Sequence, residues 1–266
     1  MPASLFVQAG ASEFIPTEHS VGPWSRDLLH GGPVAALLAH QLCAISPEGN
    51  WFPARLTVDL ARPVPLTTLH VIATVVRAGR RAQLLSAECR NGDVLVARAG
   101  LQMIARGDVP IPSASPARRW ARDERPAPPE AAPKMTPSNG GGDTAFHSTS
   151  VEHRSPNSAL SGLGAASDWI RVRAELLPGV PLSPFEGVVA AADFGNGISS
   201  SLPFDEYTYV NADLSVHVFR LPADEWVLVD AVTHIGDEGV GLAESRLSDR
   251  IGLIGRASQS LVVAPR

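Results

Sequence analysis

Residues 54–62 read ARLTVDLAR, and residues 212–220, 158 positions further on, read ADLSVHVFR. Leu56 falls on Leu214, Thr57 on Ser215, Val58 on Val216, Leu60 on Val218 and Arg62 on Arg220. In the first stretch Leu56, Val58 and Leu60 share one face and Thr57 and Asp59 the other, the period of a half-buried strand. At the same offset, Leu95-Val96-Ala97-Arg98-Ala99 falls on Leu253-Ile254-Gly255-Arg256-Ala257. Between these, Ala87-Glu88-Cys89-Arg90 resembles Ala243-Glu244-Ser245-Arg246 after a slip of two residues. Matches that recur in one order mark an internal duplication.

Working outward, each copy has the same layout. Gly31–Ala44 (GGPVAALLAHQLCA) is rich in helix formers and apolar nearly all round, so it predicts a buried helix. Strands are expected over Ala54–Arg62, Leu69–Arg77, Ala82–Arg90 and Val94–Ile104. Asn91-Gly92 between the last two is a strong hairpin signal, because both residues tolerate positive φ. In the second copy a helix is expected from Phe185 to Ser200. Strands should follow at Tyr207–Arg220, Glu225–Gly236, Gly241–Leu247 and Ile251–Val263. A further strand before each helix is expected at Glu13–Ser20 and Asp168–Leu177, with one more at His147–His153. The fold class is therefore α+β. Its expected units are an N-terminal repeat over 1–105, a Pro/Gly-rich linker over 106–142 with mobile glycines at Gly140–Gly142, and a C-terminal repeat over 143–266. One curled sheet would leave an edge strand bare, and two copies can close that edge on each other.

Composition narrows the function. A net charge of −5 gives no basic stripe for nucleic acid. Cys43 and Cys89 are far apart in apolar contexts, which predicts buried free thiols, and no metal-ligand spacing is present. Met1–Gly10 lacks the features of a signal peptide, and no apolar run is long enough to cross a bilayer. A soluble, cytoplasmic protein with no cofactor, no metal and no membrane partner is expected. No Gly-x-Ser-x-Gly elbow surrounds Ser199-Ser200-Ser201, so a serine hydrolase has no support.

The pattern His30-Gly31-Gly32-Pro33-Val34-Ala35-Ala36-Leu37-Leu38, followed by Arg55–Pro65 (RLTVDLARPVP), resembles the thioesterase-like double hot-dog superfamily, and within it the TesB-like (type II) acyl-CoA thioesterases. The resemblance implies two tandem hot-dog repeats, each a central helix wrapped by an antiparallel sheet. It also implies an acyl-CoA substrate and a hydrolytic water held by three side chains of the second repeat. These are an Asp of the helix, a Thr or Ser at the next strand's start and a Gln of the last strand. Asp193 matches the first and Gln259 the third, while Asn211 stands where the hydroxyl is expected. A carboxylate can accept the water's proton, and an amide can orient it. Gly31 and Gly32, at a helix start, would offer N–H donors to a developing oxyanion and a close approach for substrate. His30 is expected to line the pocket or support it, and His147, His153, His217 and His234 form no recognisable constellation. The alternative is a protein that binds acyl-CoA or a related ligand without hydrolysing it. A hot-dog hydratase ranks behind both, since no Asp-x-x-x-Asn-Pro-x-His stretch occurs. Association into a homo-oligomer is compatible with the resemblance.

Overall fold

The computed structural model describes residues 3–117, 125–137, 144–156 and 162–266. The expectation for Gly140–Gly142 falls outside the described residues. The chain runs β1 (Phe6–Gln8), β2 (Glu13–Pro16), α1 (Gly31–Ala44), β3 (Trp51–Asp59), β4 (Leu69–Ala78), β5 (Ala82–Asn91) and β6 (Val94–Ala105). It continues through β7 (Lys134–Met135), β8 (Val151–Arg154), β9 (Ala166–Val172), α2 (Pro184–Ala192) and α3 (Gly195–Ile198). Five strands close it: β10 (Tyr207–Asn211), β11 (Asp213–Val218), β12 (Val227–Ile235), β13 (Val240–Asp249) and β14 (Gly252–Pro265).

The strands form one sheet in the order β1-β2-β4-β5-β6-β3-β11-β14-β13-β12-β9-β8-β7, with β10 also paired to β14. Neighbouring strands in it are antiparallel throughout. At its centre β3 meets β11, with Asp59 opposite Asp213 and Leu56 opposite Val216. The stretches whose likeness opened the sequence reading thus pair with each other across the junction. Helix α1 packs against β3 to β6 and against α2. Residues such as Leu37, Leu38, Leu42, Leu56, Leu85 and Leu101 are wholly buried between helix and sheet. Each such side chain contributes about 1.5–3 kcal/mol of burial.

Several expectations change. The strands before the helices are shorter than expected: Glu13–Ser20 is strand only to Pro16, with a 3-10 turn at Glu18–Ser20, and the strand expected over Asp168–Leu177 spans Ala166–Val172. The second helix does not run from Phe185 to Ser200. A capping box of Ser183 and Glu186, with Pro184 in the first turn, starts α2 well, but the helix stops at Asp193 and resumes as α3. Gly195 and Gly197 weaken any helix there. Gly195 is also needed for space, since a Cβ on it would lie 2.5 Å from Ser245 Oγ and 3.1 Å from Gln259 Oε1. The strand expected over Tyr207–Arg220 breaks at Ala212, whose N–H is taken by Ser260 C=O. Finally, Phe146–Ser150 is a helical turn, and only Val151–Arg154 is strand. Within the stretch expected as linker, Lys134–Met135 pairs with β8. Both cysteines are free, and burial pushes each thiol up to about 12.

Candidate active site

Helices α1 and α2 lie side by side and antiparallel: the N-terminus of α1 lies beside the C-terminus of α2, and His40, further along α1, meets Glu186 in the first turn of α2 at 3.0 Å. The approach is close enough that a Cβ on Gly32 would sit 2.8 Å from the Ala190 carbonyl oxygen. Asp193 is the C-cap of α2. Its carboxylate lies against Gly31, where a Cβ would be 2.8 Å from both carboxylate oxygens. Only glycine leaves room there. The carboxylate therefore sits at the positive end of α1, whose first N–H groups have no intrahelical acceptor.

Three side chains grip Asp193. Asn211, the last residue of β10, donates from Nδ2 to Oδ1 at 2.8 Å. Gln259, on β14, donates from Nε2 to Oδ1 and to the Asp193 backbone carbonyl, each at 3.2 Å. Its Oε1 accepts the Asn196 N–H at 3.0 Å, so the amide has one possible orientation. His30, the N-cap of α1, places Nδ1 2.8 Å from Asp193 Oδ2. The same Nδ1 lies 3.1 Å from the Gly32 N–H. One nitrogen cannot accept from an amide and donate to a carboxylate at once. The shorter contact, to the ionised group, is the stronger, so Nδ1 carries hydrogen toward Asp193. In the neutral ring Nε2 is then a bare acceptor.

These groups share a cavity of about 370 Å³ whose wall includes His30, Gly31, Asp193 and Asn211. Most of the remaining wall is apolar, including Trp24, Leu29, Val64 and Val262. The wall draws on residues before β4 and after α2, so the parts of the chain on both sides of the β3–β11 junction contribute. The break at Ala212 ends β10 at Asn211, beside Asp193. Gln259 is buried at 2 % exposure and bonds the acid without itself lining the cavity. Gly32 likewise stands behind the wall, against Ala190 and Phe146.

Sequence reasoning missed a second layer. Behind His30, the rings of Phe146 and Phe194 stack at 5.6 Å, and His30 packs on both. His153 packs edge-on to Phe194 and is fully buried, with Nδ1 2.5 Å from Asp168 Oδ2 and Nε2 2.9 Å from the His147 carbonyl. Two of the histidines that form no recognisable constellation in the sequence, His147 and His153, thus meet through the His147 carbonyl. The helical turn at Phe146–Ser150 folds His147 back over His153. Burial, with His30 and His153 nearby, pushes the His147 imidazole down to about 4. Nothing in the sequence flags this cluster, because its members come from different strands and a turn that reads as strand.

Among the described residues no group of three or more potential ligands could hold a metal ion, and no helix is long and apolar enough to cross a membrane. No curated protein matches the chain. Among solved structures, a protein of unknown function with a hot-dog fold from Alicyclobacillus acidocaldarius aligns over 99 % of this chain and 97 % of its own, at 16 % identity and a TM-score of 0.73. An acyl-CoA thioesterase II from Mycobacterium marinum aligns over 98 % and 95 %, at 15 % identity and 0.69. A TesB protein from Mycobacterium avium aligns over 98 % and 96 %, at 15 % identity and 0.68. At such identities the likeness establishes the hot-dog fold alone. The family model of the acyl-CoA thioesterase N-terminal domain matches residues 20–103, and that of the acyl-CoA thioesterase C-terminal domain matches residues 126–263. With these matches covering most of its length, the chain belongs to the acyl-CoA thioesterase family.

Proposed function

We propose that this chain hydrolyses acyl-CoA thioesters with a water positioned at Asp193, within a double hot-dog of two tandem repeats (1–105 and 143–266) joined by a linker over 106–142. The observation that carries the reading is the Asp193 carboxylate, buried at the N-terminus of α1, facing a cavity shared with His30 and Asn211 and gripped by both of them and by Gln259 from behind the wall. In the reaction the water oxygen attacks the thioester carbonyl carbon while its proton passes to the Asp193–His30 pair. The tetrahedral oxyanion forms at the start of α1, where the Gly31 N–H has no intrahelical acceptor. The C–S bond then breaks, the proton goes to the departing thiolate, and free acid and CoA leave.

Asn211 and Gln259 both donate to Oδ1, and this leaves Oδ2 and the His30 edge as the side available to water. The amides thus hold the carboxylate, and the carboxylate with His30 holds the water. His30 shares the proton work on the strength of its 2.8 Å contact and its bare Nε2. The hydroxyl that the family resemblance leads one to expect is replaced by an amide that does the same gripping.

Release of free thiol across a panel of acyl-CoAs tests the reading. Asp193→Ala should lower kcat by about 100-fold or more, the scale of lost general-base catalysis, with the protein still folded. Turnover at the parent rate in that variant refutes the mechanism. Ligand binding without thiol release by the parent would instead support a binding protein.

A further inference from the structure

Arg62 and Arg220 stand at matched positions 158 residues apart, yet their surroundings differ. Arg220 is consumed by structure. Its guanidinium makes two 2.6 Å contacts with the buried Asp249 carboxylate and reaches the carbonyls of Leu253 and Gly252 at 3.0 and 2.7 Å. At the same offset from Asp249 stands Asn91, at the corresponding hairpin: Asp249 pairs with Gly252, and Asn91 with Val94. Asn91 carries no charge, and its Nδ2 is spent on Thr67 Oγ1 and the Thr68 carbonyl. The acid that clamps Arg220 is therefore missing for Arg62.

Arg62 is exposed, lines the cavity that holds Asp193, and has no side-chain hydrogen bond or ion pair with the described residues. The β3–β11 register carries it to the site: Asp59 faces Asp213 and the Leu60 N–H is taken by Ala212 C=O, so the chain beyond Leu60 runs alongside Asn211. A guanidinium is a planar fork built for phosphate or carboxylate oxygens. Here it stands at the exposed border of an otherwise mostly apolar wall.

We propose that Arg62 is the anion-recognising residue of the substrate site, released from the structural role its counterpart Arg220 keeps, and that it binds an oxyanion group carried by the acyl-CoA. The group is either a phosphate of the CoA portion or a carboxylate on the acyl portion. This inference rests on the thioesterase reading above, and the test separates the two.

The experiment compares the parent with Arg62→Gln and Arg62→Lys on three substrates: an acyl-CoA, the same acyl group on pantetheine, which lacks the phosphates, and an acyl-CoA whose chain ends in a carboxylate. If the phosphate is the ligand, the parent's KM is ~10-fold lower for acyl-CoA than for acyl-pantetheine, the worth of one charge-assisted hydrogen bond. That gap closes in Arg62→Gln and partly reopens in Arg62→Lys. If the carboxylate is the ligand, only the third substrate loses its advantage in Arg62→Gln. KM values within twofold of the parent on every substrate overturn the proposal. Should the parent release no thiol at all, the thioesterase reading fails separately. Calorimetric binding of two non-hydrolysable acyl-CoA thioethers, one plain and one whose chain ends in a carboxylate, then decides on Arg62: equal affinity of parent and Arg62→Gln for both overturns it, and a ~10-fold loss on either supports it.

Discussion

Adding one methyl group at Gly31 should separate catalysis from folding. A Cβ built there lies 2.8 Å from Asp193 Oδ1, 2.8 Å from Oδ2 and 3.1 Å from Cγ, where ordinary contact begins at 3.4 Å. The carboxylate must retreat by about 0.6 Å, and it is not free to do so. Asn211 at 2.8 Å, Gln259 at 3.2 Å and His30 at 2.8 Å all hold it in place. Misplacing a reacting group by ~1 Å costs ~100-fold in rate, so Gly31→Ala should lower kcat roughly 10-fold. Stability should hardly move, because alanine favours a helix by up to about 1 kcal/mol over glycine and offsets the strained hydrogen bonds. Gly32→Ala is the contrasting change. Its Cβ would meet the Ala190 backbone oxygen at 2.8 Å and Phe146 at 3.0 Å, and a packed helix cannot yield as a side chain can. That overpacking should cost about 1–3 kcal/mol, or roughly 2–4 °C of Tm for each kcal/mol. The assay is steady-state thiol release beside a thermal melt on both variants. Parent-level kcat in Gly31→Ala, or a loss that simply follows its melting temperature, would refute the placement of Asp193 against α1.

Two further outcomes follow from the geometry. His147 is held down to about 4 by burial, so between that pH and the ordinary histidine range the unfolded chain binds a proton that the folded chain does not. Stability should therefore fall as pH drops from about 6.5 toward 4, by roughly 1–2 kcal/mol once partial solvent access is allowed for; in His147→Phe, denaturant melts across this window should show a flatter profile, and an unchanged slope would count against the assignment. Asn211→Asp replaces a donor 2.8 Å from Asp193 with a second carboxylate. Like charges at that distance cannot both ionise easily, so the low-pH limb of the kcat profile should move upward by about one unit or more, and an unmoved limb would show that Asn211 does not touch the acid in solution.

Much of the frame is legible in the residues. Helix α1 spans the expected Gly31–Ala44, and β4, β5 and β6 end within a residue or so of the expected bounds. Their periodicities are clean and their turns carry Gly, Pro or Asn. The end of the second helix is hard to read because Ala191-Ala192-Asp193-Phe194 continues an apolar helical run; Gly195 and Gly197 weaken that run, and contact with α1, Ser245 and Gln259 fixes the stop at Asp193. In the site, Asp193, Asn211 and Gln259 were nameable from a family resemblance, and the structure brings all three into hydrogen-bonding contact. The grip of His30 on Asp193 joins residues 163 positions apart in the chain. No local pattern encodes a contact of that kind. The same holds for His153 and Asp168, whose buried pairing needs the fold to exist first.

The junction of β3 with β11 has a consequence for heat inactivation. Asp193, Asn211 and Gln259 are anchored on one side of it, and His30 and Gly31 on the other. Asp59 and Asp213 face each other there, and each carboxylate has its own partner: Asp59 accepts from Arg98 Nε at 2.6 Å and Asp213 accepts the Ser260 N–H at 2.6 Å. The acid and its histidine are thus kept in register by a single strand pair. A local opening of that pair would part them while both flanking sheets remain intact, so the enzyme would fall silent below the temperature at which it melts.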